Sequence, residues 1–437
     1  MSLSDQTVRI QNARIICPKQ GLDFHGSLDL KNGAIAWLGQ NADALDWDGE
    51  VIDAGGAILT SGFIDIHVRS GEPGYEYRET LDETAQAAAR GGFTTVCLMA
   101  NGAYNQDTRP LVEYVARRSN EIGSSRLRPI GALTLERKGE RLTEMFDLLA
   151  GGAIAFSDFE STCANAGVMR RALEYAKATG RPVFEFPNNP SLSGTGIMHE
   201  GPVATRLGLK GIPSAAEEVR VYRAISLARL TGAPLHIGPV STAASVAALR
   251  VAKSEGLSLT SSVLASHLKY VDADIMTDWS TALKVMPVLR EESDRIALLS
   301  GVADGTIDAI SSGHLAQGLV DKQVPFPEAE FGMLGLQTAL SVCLEIISAG
   351  GMSLMDMVSR LTSGPMACLR NPWHGLAIGH PGDLVLFHPD KTWSVSKHEL
   401  GGRALNTPLF GSEVKGCIEN TWVSGRCVYN RADESSL

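Results

Sequence analysis

Gly62-Phe63-Ile64-Asp65-Ile66-His67-Val68-Arg69-Ser70-Gly71-Glu72-Pro73-Gly74 is a strand-length apolar run that ends on two long polar side chains and then turns. A strand alternates its faces at every residue, so positions 67, 69 and 71 share one side, and 69 and 71 lie about 6.6 Å apart along it. His67 could ligate a metal through a neutral imidazole. Arg69 could not, because a guanidinium keeps its charge and has no lone pair to give. Glu72-Pro73-Gly74 reads as a rigid turn, since proline fixes one torsion and glycine permits the next.

Outward from this run, apolar strand-length segments alternate with longer helix-like ones, the pattern of βα units building a parallel sheet. The strands are expected at residues 62–68, 94–99, 128–132, 153–157, 182–186, 234–237, 257–263 and 307–311. Eight such runs make an α/β fold, a (β/α)8 TIM-like barrel, whose functional residues gather at the C-terminal strand ends. Before it, short runs at 8–10, 14–16, 27–30 and 34–38 are punctuated by Gly21, Asn32-Gly33 and Gly39; a similar texture returns at 383–387, 416–418 and 421–429. The two ends are therefore expected to pair into one small β-sandwich, giving the divisions 1–60, 61–370 and 371–437.

A chain of 437 residues has room for a barrel of about 250 residues and an accessory unit. The net charge of -10 argues against nucleic-acid phosphates and anionic membranes as partners, both of which demand surplus Lys and Arg. Seven cysteines without Cys-x-x-Cys spacing read as reduced thiols. The first residues have no basic region followed by an apolar core, and no apolar run approaches the ~20 residues of a membrane span. A cytoplasmic location is expected.

The opening run resembles the metal-binding first barrel strand of the dihydroorotases, members of the amidohydrolase superfamily. The resemblance covers nearly the whole chain. Residues 208–217 (Gly-Leu-Lys-Gly-Ile-Pro-Ser-Ala-Ala-Glu) are similar to the stretch before the family's sixth strand. Residues 304–310 and 331–340 resemble its last strand and following helix, and 406–408 and 421–425 its C-terminal module. The resemblance implies ring closure of carbamoyl aspartate to dihydroorotate in pyrimidine synthesis, with metal-bound hydroxide attacking the ring amide and a last-strand aspartate moving the proton.

Measured against that pattern, His67 keeps the first ligand position and Arg69 replaces the second. Ala155-Phe156-Ser157-Asp158 matches the segment whose acid bridges metals, although Phe159 and Glu160 replace the Asp-Gly that usually follows. Phe186 stands at the fifth-strand histidine, and Pro239 at the sixth-strand one. In Ser312-Gly313-His314, Gly313 replaces the catalytic aspartate. The substrate arginine aligns with Gly71 and a substrate asparagine with Met286; Asn101 alone matches a substrate contact.

The resemblance thus implies a vestigial site of His67, Arg69, Asn101, Asp158, His267 and His314, with no catalytic residue and no metal. Arg69 is expected to enter the emptied mouth and to pair with Asp158, directly or through water. The chain looks like the noncatalytic dihydroorotase-like partner of the aspartate transcarbamoylase catalytic subunit, in a homo- or hetero-oligomer. Two other readings stay open: an active hydrolase of cyclic amides using zinc in a site rearranged around His67, Asp158 and nearby histidines (His199, His236, His267, His314), and a noncatalytic small-anion binder using Arg69 and Asn101.

Overall fold

The computed structural model describes residues 7–40, 47–100 and 102–434. The N-terminal segment supplies β1 (Thr7–Cys17), β2 (Leu22–Lys31), β3 (Ala34–Gly39), β4 (Glu50–Asp53) and β5 (Ile58–Ser61). The runs at 8–10 and 14–16 belong to one strand. A register shift between Ile10 and Ala13, with Asn12 at φ 58°, takes up the break as a bulge.

Gly62 alone separates β5 from the first barrel strand, β6 (Phe63–Val68). A Cβ at that position would lie 2.0 Å from Thr94 Cγ2, so only glycine allows the handover. The barrel continues through β7 (Phe93–Leu98), β8 (Arg126–Pro129) and β9 (Val183–Glu185). A separate parallel pair, β10 (Met198–His199) and β11 (Gly211–Ile212), intervenes before β12 (Leu235–Ile237), β13 (Leu259–Leu264) and β14 (Ala309–Ser311).

Parallel pairing runs β6-β7-β8 on one side and β9-β12-β13-β14 on the other. Two joints close the ring. Phe156 bridges Gly131 and Val183, so the run expected at 153–157 contributes a single bridging residue as the fourth position. At the other joint Arg69 bridges Leu315, with the Arg69 N–H donating to the His314 carbonyl at 2.9 Å.

Helices lie between the strands. In Leu81–Arg90, Thr80 Oγ1 accepts from the Glu83 N–H while the Glu83 carboxylate accepts from the Thr80 N–H, a reciprocal cap that fixes where the helix starts. Leu81, Ala85 and Ala88 then face the barrel core.

β15 (Leu384–Ser394), β16 (Glu413–Val423) and β17 (Arg426–Asn430) extend the N-terminal sheet. The two ends are hydrogen-bonded as one eight-stranded sheet, in the order β17-β16-β15-β5-β1-β2-β3 with β4 on β1. Strand alternation divides its side chains between two cores. Ile15, Leu59, Leu384 and Leu386 join a core made from both ends of the chain, while Ile16, Ile58, Val385 and Phe387 point the other way into the barrel's core. Among the described residues, no helix is long and apolar enough to cross a membrane.

Candidate functional site

The C-terminal ends of β6, β12 and β13 bring together His67, His236 and Ser262. His67 Nε2 lies 2.8 Å and His236 Nε2 2.9 Å from Ser262 Oγ, and the two ring nitrogens are 3.3 Å apart. Thr260 Oγ1 sits 3.0 Å from His236 Nδ1. One hydroxyl therefore serves two imidazoles, donating to one and accepting from the other. Both rings are buried against Phe184, and His67 also against Phe159. Burial, then the nearby Arg69 charge, brings the His67 pKa down to about 3; burial, then His67 and Lys253, holds His236 well below the usual histidine range.

Arg69 is buried and points into the mouth, but its direct ion pair corrects the expected one. The guanidinium bonds Glu160 Oε1 at 2.7 Å, not Asp158, and lies 5.3 Å from the Phe159 ring centroid. Asp158 is already committed locally. Its Oδ1 accepts from the Leu133 and Thr134 N–H groups, each at 2.9 Å, and Oδ2 from Thr134 Oγ1 at 2.5 Å. Burial still dominates and pushes its carboxyl up to about 6, against the pull of those donors. Phe159 takes φ 46°, a left-handed backbone that sets Glu160 within reach of Arg69.

The other positions singled out in the sequence also sit at or just beyond strand ends. Phe186 packs on Phe159 with ring centroids 4.9 Å apart, in an apolar cluster with Ile66, Met99 and Phe184. Pro239 follows β12 and is buried. Gly313 follows β14 with φ 66°, next to Leu264. His314 is a structural clamp: its Nε2 meets Glu79 Oε1 at 2.9 Å, and the Gly335 and Leu336 N–H groups donate to its Nδ1. His267 Nε2 donates to the Pro287 carbonyl at 3.0 Å, and His199 Nδ1 lies 3.0 Å from Arg290 Nη1. Neither joins the His67 group. Asn101 lies outside the described residues.

Ser262, Glu160 and Glu79 complete these contacts, and sequence reasoning gave them no part. Glu160 had a signal, as the long acid that departs from the usual Asp-Gly; Ser262 had none, being one serine among several in 257–263.

A zinc ion requires three or four ligands at about 2.0–2.3 Å. The spacing of His67 and His236 would suit two ligands of one metal, but the third group is a neutral hydroxyl. Asp158 is held by three donors elsewhere, and the charge acting on His67 is Arg69's positive one. Among the described residues, no three His, Cys, Asp or Glu side chains are grouped to hold a metal. These residues do not fit the metal centre that the resemblance implies.

An eight-position parallel barrel carrying a sheet from both termini, with a polar centre at its C-terminal strand ends, is the amidohydrolase architecture. L-hydantoinase (dihydropyrimidinase) from Arthrobacter aurescens shares this fold with a TM-score of 0.85 at 20% identity, over 97% of this chain and 96% of that one. Dihydropyrimidinase from Brevibacillus agri NCHU1002 gives 0.82 at 19%, over 97% and 95%. Residues 56–245 match the family described as dihydro-orotase-like. Dihydroorotase of Anaeromyxobacter sp. (strain K) is 40% identical over 96% of this chain and 97% of its own length, and that of Pelobacter propionicus 38% over 97% and 99%. The chain belongs to the dihydroorotase-like family of the amidohydrolase superfamily.

Proposed function

We propose that this chain is a noncatalytic dihydroorotase homologue of pyrimidine biosynthesis that acts as a structural partner of the aspartate transcarbamoylase catalytic subunit. The observation that carries the reading is the mouth itself. Arg69 and Glu160 form an ion pair where a ligand would be needed, Phe186 and Pro239 offer no lone pair, and Gly313 has no side chain to move a proton. Several components of a hydrolytic centre are missing together, while the fold around them is kept. One substitution could be absorbed by a changed metal site; the loss of ligands and proton carrier leaves no route to activate water.

The second reading, a metal-dependent cyclic amidohydrolase with a rearranged site, draws on the 3.3 Å separation of His67 and His236 Nε2. Protein purified without chelator and incubated with zinc separates the two. A noncatalytic chain retains less than stoichiometric zinc after desalting and gives no dihydroorotate hydrolysis above buffer. Stoichiometric zinc with measurable turnover overturns the proposal.

A further inference from the structure

At the end of the barrel opposite the His67 mouth, Arg126, Arg128, Arg181 and Arg426 line the space between the barrel and the terminal sheet. β8 begins there, and alternation places Arg126 and Arg128 on one side of the strand while Leu127 enters the core. Arg126 and Arg128 line two adjoining cavities between barrel and terminal sheet, of about 530 and 780 Å3. The first also receives Arg181, His374 and His380, whose imidazoles stack 3.9 Å apart; the second receives Arg426, Asn120 and Ser124. Both volumes suit a small ligand, and junctions between structural units are common places for one.

The charges here are unequally matched. Asp383 takes Arg126 in a bidentate pair at 2.6 and 3.0 Å, which accounts for the one acid lining either cavity. Arg181 donates to the neutral Asn371 Oδ1 at 2.5 Å. The guanidinium groups of Arg128 and Arg426 make no hydrogen bond or ion pair among the described residues, although Asp383 acts on Arg128 at longer range and Arg426 Nη2 lies beside Gly123 at the end of the helix Arg109–Ile122. Two hydroxyls add to this. Ser61 is buried, lines the first cavity and has an unpartnered Oγ, and Ser124 in the second has one too. A buried hydroxyl without a partner loses its hydration for nothing unless a ligand or solvent supplies the bond. Guanidinium groups with free donors in a cleft, on a chain of net charge -10, are built to take oxyanions in forked hydrogen bonds.

We propose that the second cavity, which both Arg128 and Arg426 line, is a binding site for a small, multiply charged oxyanion, held by those two guanidinium groups with the Ser124 hydroxyl completing the cradle. It is separate from the vestigial mouth and does not depend on whether that mouth is active. Pyrophosphate and citrate serve as probes for phosphate and carboxylate groups. Each is titrated by calorimetry into the full-length protein at low salt, with sodium chloride matched for ionic strength as control. Saturable binding of one or both is expected, and the tighter probe names the class of group preferred. Arg128→Glu and Arg426→Ala should each weaken that binding by about tenfold or more, the effect of losing a charge-assisted contact, while Arg69→Gln at the other end leaves it unchanged. Circular dichroism verifies that each variant is folded; Arg426→Ala, the milder change, carries the test should Arg128→Glu misfold. Absence of saturable binding to both probes overturns the site. So does equal binding by wild type and both cleft variants, or a loss in Arg69→Gln as large as theirs.

Discussion

Burial holds the His267 imidazole at a pKa of about 4, with its Nε2 donating to the Pro287 carbonyl. The unfolded chain gains this proton near 6.5, so between about 6.5 and 4 it binds more protons than the folded one, and stability falls as pH falls through that window. Above pH 6.5 the contribution is whole. His267→Gln keeps a donor for Pro287 without a titrating ring, and urea unfolding across pH 4–8 should show the acid-side loss reduced by roughly 3 kcal/mol. An unchanged slope would refute the assignment. Gly313 makes a different demand. Its φ of 66° and a Cβ position 2.7 Å from Leu264 Cδ1 mean that Gly313→Asp cannot simply put back a proton carrier. The substitution should cost about 1–3 kcal/mol in unfolding free energy and yield no dihydroorotate hydrolysis; turnover gained by this single change would show that the rest of the centre is intact.

Phe63 opens β6 directly after the terminal sheet, and its ring meets Phe93 of the barrel at 5.7 Å and Phe387 of the sheet at 6.0 Å. It is fully buried, so Phe63→Ala leaves a void at the joint and should cost about 3–5 kcal/mol in chemical unfolding. A loss below 1 kcal/mol would mean that the two units are not coupled there. The elements meeting at this joint were legible because alternation and glycine punctuation are local: the runs at 62–68 and 307–311 each contain a barrel strand, and that at 94–99 overlaps one that starts a residue earlier, at Phe93. Less legible was the fourth position, where 153–157 narrows to the Phe156 bridge, since ring closure depends on neighbours remote in sequence. The same reason hid the partner of Arg69. Charge balance pointed to Asp158, but the Leu133 and Thr134 amides reach that carboxylate from the end of the adjoining barrel position, and no pattern within 155–160 announces them. That Arg69 enters the mouth followed from strand alternation; which acid it meets required the fold.

At the scale of the whole molecule, the inward-facing side chains of the mouth lead to a prediction about assembly. His67 and Arg69 are 3% and 7% exposed, and Arg69 is anchored inward by Glu160, so neither side chain offers appreciable surface to a neighbouring subunit. If the chain supports an aspartate transcarbamoylase by contact, these two side chains are not what the partner touches. Changes confined to the mouth should then leave assembly intact. Wild type and Arg69→Gln, each co-expressed with the matching transcarbamoylase catalytic subunit, should elute with it as a single species of the same mass by size-exclusion chromatography with light scattering. The variant also leaves Glu160 without its cation, but Glu160 is about a third exposed, so solvent can accept that charge and a folding defect is not the expected result. A variant that folds yet fails to assemble would place the mouth at the interface and contradict the argument from burial. Two proteins that elute separately over a range of concentrations, wild type included, would count against the partnership itself.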